Sequence, residues 1–183
     1  MSLKVIDESK INLNKYISKD MLAPAKTWYV LASLGTALIL NFIPLQSFAL
    51  AIRPDFTALV IMFWNINQPQ RLGMSLAFCV GLMMDVHHAS VMGHHALVYC
   101  VIVYITSIFR RRVKVFNLVQ QIPQICLMLL VMQCLLAIIE LLGGANLPNW
   151  YYFLGSVSGA IIWPIVAFLL SYPLKHRSDS DAL

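Results

Sequence analysis

The chain has 183 residues, of which 60% are hydrophobic and only 11% charged, with a net charge of +5. Soluble domains carry about 25% charged and about 45–50% apolar residues, and so short a chain has too little interior to hide this excess, so most of the apolar surface must face lipid. The cations stand in short segments between apolar runs, with no basic stripe of interleaved aromatics, which sets nucleic acid aside and points to orientation in a membrane.

Residues 1–27 form a polar N-terminal tail, where Lys4, Lys10, Lys15, Lys19 and Lys26 face Asp7, Glu8 and Asp20. Leu3, Ile6, Leu13, Ile17 and Met21 fall at roughly helical intervals, which fits a weak interfacial helix or a disordered tail equally well. The first apolar run begins near Trp28 without a short apolar region and cleavage site before it, and is expected to be an uncleaved anchor. No charge falls between residues 27 and 52, and Pro44 ends or kinks this first span. A second apolar stretch, 56–66, follows Arg53-Pro54-Asp55 and leads to the polar turn Asn67-Gln68-Pro69-Gln70-Arg71. The third run, 72–84, closes on Asp85, and a histidine-rich connector from His87 to His95 precedes a fourth span ending at Phe109. Arg110-Arg111-Arg112-Val113-Lys114 then forms a basic loop. The fifth span, about 122–139, ends at Glu140 before Gly143-Gly144. The sixth, 151–172, leads to a polar tail at 175–183 with Lys175 and Arg177.

The expected fold is therefore an all-α polytopic membrane protein with a single transmembrane domain over residues 28–174 and six spans. The second and third segments fall short of the roughly 20 apolar residues of a full crossing, so they cross with little tilt, thin the bilayer, or dip in and return. With both termini in the cytoplasm, all of the 13 Lys and Arg residues except Arg53 lie inside. Five spans would put one cationic cluster on the wrong side, whereas four preserve the parity. The same topology places Asp55, Asp85 and Glu140 near the outer ends of spans. Arg53, the one Lys or Arg on that side, is expected to pair with Asp85 or Asp55. The competing expectation is that these groups are hydrated among headgroups.

Gly73, Ala77 and Gly81 recur every four residues and Asp85 continues the series, a spacing of small residues that lets helices approach closely in lipid. Gly155 and Gly159 repeat the pattern in the sixth span, before a kink expected at Trp163-Pro164.

Chemistry is sparse. Cys79, Cys100, Cys126 and Cys134 all fall in apolar runs without metal-ligand spacing and are expected as small buried side chains without disulfides. His87-His88 and His94-His95 tempt a metal reading, but adjacent histidines on a loop rarely converge and Asp85 is the sole accompanying carboxylate. Ordinary loop histidines, with no metal and no cofactor, are the expectation. There is no GxSxG, no GxxxxGK[ST], no intramembrane Ser–His pair at a matching depth and no span with a polar stripe along its length. No catalytic residue is assigned.

One resemblance gathers these features. Arg53-Pro54-Asp55, Trp64, Pro69, Gly73, Phe78, Gly81 and Asp85, then Gly93 with Leu97 and finally Trp163-Pro164, stand in the order found in the rod shape-determining protein MreD family. The resemblance covers about residues 28–174. It departs at Ala89, where the family often has Gly, and in a longer N-terminal extension. It implies a non-enzymatic subunit of the cell-elongation machinery in the bacterial inner membrane, serving cell shape and lateral peptidoglycan synthesis. The implied partners are MreC, a single-span protein with a periplasmic body, together with MreB, RodA and its class B penicillin-binding transpeptidase. The family is also similar in fold to the substrate-binding subunits of energy-coupling vitamin transporters, which keeps a small-molecule binding subunit of a transporter as the alternative. Architecture alone does not carry function across. Arg53 and Asp85 are expected to brace the outer ends of spans. The basic residues Arg110, Arg111, Arg112 and Lys114 are expected to fix topology or to meet anionic membrane lipid or an acidic partner.

Overall fold

A computed structural model describes residues 25–44, 52–88, 93–144 and 149–180, with the backbone alone at 88 and 175–180. The N-terminal tail with Lys4 to Lys19, the connector residue Ala89 and the side chains of Lys175 and Arg177 lie outside the described residues.

Long apolar runs with few breakers leave the backbone no partner but itself, so they fold as helices. The described residues form six α-helices and no strand. These are α1 Thr27–Phe42, α2 Phe56–Asn67, α3 Met74–His88, α4 His94–Val115, α5 Leu118–Leu142 and α6 Leu154–Ser180, with a 3₁₀ turn at Trp150–Phe153 leading into α6. Residues 118–142 and 150–174 are each long and apolar enough to cross a membrane. The helices α1, α2 and α3 are apolar but shorter. Neighbouring helices pack side by side as α1 on α2, α2 on α4, α3 on α4, α4 on α5 and α5 on α6. The end of α1 meets the start of α2, the end of α3 meets the start of α4, and the end of α4 meets the start of α5, so the chain turns back and forth.

The short helix α2 explains how so brief a segment sits in this bundle. Its 12 residues rise only about 18 Å, well short of the roughly 30 Å of bilayer hydrocarbon. Every residue from Thr57 to Ile66 is buried, so α2 meets other helices, chiefly α1, α4 and α6, and needs no match to lipid thickness. At its start the Phe56 N–H donates to Asn41 Oδ1 of α1 at 3.2 Å, and at its end three of its own polar side chains reach neighbouring segments. Asn65 Nδ2 donates to the Val103 carbonyl (2.7 Å) and to Ser107 Oγ (3.1 Å). The Trp64 indole N–H donates to Ser33 Oγ at 2.8 Å. Gln68 Oε1 accepts from the Ala25 backbone N–H at 2.9 Å. Non-helical backbone at membrane depth is tolerated where protein encloses it, and this helix meets that condition at each end.

Several boundaries differ from the sequence expectation. Helix α1 ends at Phe42, so Pro44 terminates it rather than bending it. The basic residues Arg110 to Lys114 are not a loop. They form the last turns of α4, where cations oppose the negative end of the helix dipole and are therefore compatible with helix. Helix α5 begins at Leu118 and carries Pro123 in its second turn. Helix α6 continues through Pro164 and Pro173 to Ser180, into the stretch expected as a tail. None of the four cysteines is buried, and all are free. Cys79 and Cys134 are exposed, as a small apolar thiol can be where the surroundings are hydrocarbon.

The small-residue series is half realised. Ala77 and Gly81 are buried, but Gly73 precedes α3 and is exposed, with open space where a Cβ would stand. At Gly81 the backbone of α4 comes so close that a Cβ would strike the Ala96 Cα, with Ala96 N at 2.6 Å and the His95 carbonyl carbon at 2.9 Å. Gly155 and Gly159 are both buried, and a Cβ at Gly159 would meet Leu129 Cδ1 of α5 at 2.7 Å and Pro54 Cβ at 3.4 Å. Trp163 is fully enclosed and donates its indole N–H to Gln121 Oε1 at 3.1 Å, tying α6 to α5.

Candidate functional site

The back-and-forth path brings the end of α1 and the starts of α2 and α4 together with the end of α3. Two of the carboxylates at this end, Asp55 and Asp85, meet the starts of helices. Asp55 directly precedes the apolar run of α2 and caps it, accepting from the Ala58 N–H at 3.0 Å, as a short acidic side chain before a helix does. The same carboxylate accepts from Asn41 Nδ2 of α1 (2.8 Å) and from the Tyr99 hydroxyl of α4 (2.7 Å). Asn41 completes the cluster, donating also to Thr57 Oγ1 at 2.9 Å and accepting from the Phe56 N–H at 3.2 Å. Asn41, Thr57 and Tyr99 are all buried.

Asp85 does for α4 what Asp55 does for α2, but from a different helix. From the last turn of α3 it accepts the N–H groups of Gly93 (2.9 Å), His95 (2.9 Å) and Ala96 (3.4 Å). These are donors at the start of α4 that have no partner within the helix itself. Gly93 adopts φ +100°, a left-handed conformation that glycine accepts without strain, and thereby aims the chain at the carboxylate. Gly81, one turn earlier on α3, allows the close approach that this geometry needs. The two imidazoles lie on the same carboxylate, with His95 Nδ1 at 2.9 Å and His94 Nδ1 at 3.4 Å from Asp85 Oδ1. Asp85, His94 and His95 are all buried, and the His95 ring sits 6.1 Å from that of Tyr99, which links the two acidic clusters. One donor atom from each of Asp85, His94 and His95 lies within 4.8 Å of the others, so these three can hold a metal ion. Each hydrogen bond to an ionised carboxylate in such surroundings is roughly twice as strong as a neutral one.

The expected ion pair between Arg53 and either acid is replaced. Arg53 Nη1 donates to the Ile43 carbonyl at 2.8 Å, and both carboxylates are satisfied by helix N–H groups, amide, phenol and imidazole. A guanidinium costs too much to bring into a buried pocket already filled by donors. The histidines also differ from expectation: His94 and His95 converge on Asp85 from the first turn of α4, whereas His87 stacks on Phe42 with ring centroids 4.1 Å apart. Pro54 is buried against the Gly159 position, which explains its place beside Arg53. Sequence reasoning missed Asn41, Thr57 and Tyr99. Tyr99 lies 44 residues from Asp55, a separation that no local pattern bridges.

The opposite end is built differently. Arg111 and Arg112 are exposed, Lys114 Nζ reaches the Asn67 carbonyl at 3.4 Å, and Arg71 donates to Thr27 Oγ1 at 2.8 Å.

Residues 25–172 match the family model described as rod shape-determining protein MreD. The chain belongs to the MreD family. Its relative in Haemophilus influenzae, a rod shape-determining protein MreD, is 24% identical over 151 residues, covering 82% of this chain and 93% of that protein. No solved structure matches the chain. The match spans both acidic clusters, the close approach at Gly81 and the Trp163-Pro164 pair. MreD membership joins the chain to a cell-shape, membrane-associated family, in keeping with helices of membrane-span length.

Proposed function

We propose that this chain is a non-enzymatic membrane scaffold of the elongation complex, crossing the bacterial inner membrane six times with both termini in the cytoplasm. Its role is to hold the machinery of lateral peptidoglycan synthesis together by associating with MreC, and with MreB, RodA and the class B penicillin-binding transpeptidase as members of the complex. The observation that carries this reading is the family match over 25–172. Three features support it. Six helices alternate in direction, with the exposed Arg111 and Arg112 at one end and Asp55 and Asp85 at the other, the polarity expected when cations stay in the cytoplasm. The buried polar side chains at the acidic end are spent on helix termini and on joining helices, which is work of architecture. The bundle also leaves large apolar side chains on its exterior, Phe78 and Met83 of α3 and Phe168 and Leu169 of α6 among them, suited to lipid and to the helix of a single-span partner.

The test is affinity purification of the tagged chain from mildly solubilised inner membrane, with mass spectrometry of what remains bound. A single-span protein with a periplasmic body as the main partner is the expected result. Recovery of an energising transporter module in its place would overturn the scaffold reading in favour of a transporter subunit.

A further inference from the structure

We propose that Asp85, His94 and His95 form a binding site for one divalent transition-metal ion, of the Zn²⁺ class, which clips the end of α3 to the start of α4.

The donor set is two imidazoles and one carboxylate, ligands that suit Zn²⁺ and its first-row neighbours rather than the oxygen-seeking Mg²⁺ and Ca²⁺. The spacing fits. Around a tetrahedral ion with bonds of about 2.0–2.1 Å, ligand atoms stand roughly 3.3 Å apart. Asp85 Oδ1 lies 3.4 Å from His94 Nδ1 and 2.9 Å from His95 Nδ1, and a set of one donor from each residue falls within 4.8 Å. An ion therefore enters with small adjustments of side chains already facing one another.

Consecutive residues on a helix point about 100° apart, which normally separates adjacent histidines. Here both use Nδ1, the ring nitrogen nearest the backbone, and both stand in the first turn beside the approaching end of α3. Their rings lie 4.2 Å apart at 42°.

The carboxylate is held independently of the imidazoles. Oδ2 accepts from the Gly93 and Ala96 N–H groups, and Oδ1 from the His95 N–H. Such outer hydrogen bonds fix a metal ligand's orientation. The direct contacts of Oδ1 with the two imidazoles, 2.9 Å to His95 Nδ1 and 3.4 Å to His94 Nδ1, give way to bonds through the ion. In the metal-bound state each neutral imidazole carries its proton on Nε2 and offers the Nδ1 lone pair, so a change of tautomer suffices. Any imidazolium releases one proton on binding. Three protein ligands leave a fourth position for water or a partner's donor. Among the described residues, the cationic groups within ion-pair distance of Asp85 are these imidazoles, so a divalent ion also supplies positive charge to a buried carboxylate.

The proposal does not depend on the scaffold reading, and its test uses the isolated protein. The full chain, made with an affinity tag free of histidine, is stripped with a chelator in detergent and titrated with Zn²⁺ by calorimetry and with Co²⁺ by visible absorption. The expected result is one saturable Zn²⁺ per chain, a raised thermal midpoint, and the intense visible band of tetrahedral Co²⁺. His94→Ala and His95→Ala each weaken Zn²⁺ binding about tenfold or more, while His87→Ala leaves it unchanged. Absence of stoichiometric binding, a faint octahedral Co²⁺ spectrum in the unmutated chain, equal competition by Mg²⁺, or undiminished affinity in the His94→Ala and His95→Ala variants would each overturn it. The Co²⁺ spectrum of the unmutated chain decides the matter even where a variant fails to fold.

Discussion

At one end of the bundle the carboxylates of Asp55 and Asp85 are enclosed by donors from α1, α2 and α4, whereas at the other end the guanidiniums of Arg111 and Arg112 stand in the open. Both ends carry charge, but the charge does different work. An exposed cation needs only to be on the right side of the membrane, and its exact neighbours matter little. A buried carboxylate needs donors at fixed distances, so it commits several helices to one arrangement. Substitution at the acidic end should therefore cost fold stability, and substitution at the basic end should alter orientation while leaving the fold intact.

The sharpest way to break this contrast is at Gly81, where the acidic end draws α3 and α4 together. Gly81→Ala forces a Cβ into the backbone of Ala96 and should cost about 3 kcal/mol or more, seen as loss of the monodisperse peak in detergent size-exclusion chromatography. Next, Asp85→Ala strips the acceptor from three N–H groups at the start of α4, an expected loss of about 3 kcal/mol in thermal unfolding. Asp85→Asn keeps the shape and one acceptor oxygen, and should fall between this variant and the unmutated chain. Tyr99→Phe removes one of several donors to Asp55 and should cost about 1 kcal/mol. Smallest of all, replacing Arg111 and Arg112 with Gln should change stability by no more than about 0.5 kcal/mol. It should, however, raise the fraction of chains inserted in the wrong orientation, read from reporter fusions after residue 115. A basic-end variant that unfolded like Asp85→Ala would erase the distinction between the ends.

The same difference explains what the sequence made legible. Helical character followed from the uninterrupted apolar runs, because it is a local property. The capping role of Asp55 was within reach, since a short acid before an apolar run is an N-terminal signal. The network around it was not, because Asn41, Asp55 and Tyr99 lie in three different helices and meet only after packing. At Asp85 the sequence misleads for a related reason. Treating His94 and His95 as loop residues hid the fact that α4 begins at His94, so that a Gly-His-His sequence eight to ten residues after an acid can fold back on it. Charge alone pairs Arg53 with an acid, but helix N–H groups, already present at the site, are the better partners. The basic run reads as a loop because its charge ends the apolar stretch, whereas the helix continues to Val115.

The central claim is that this chain is a membrane scaffold for cell elongation, and cell shape tests it most directly. The measurement is the length-to-width ratio of cells in which the chain is depleted from its own host and then restored from a plasmid. The account predicts that rods round up as the chain disappears and lengthen again when it returns. Cells that stay rod-shaped through complete depletion would contradict it.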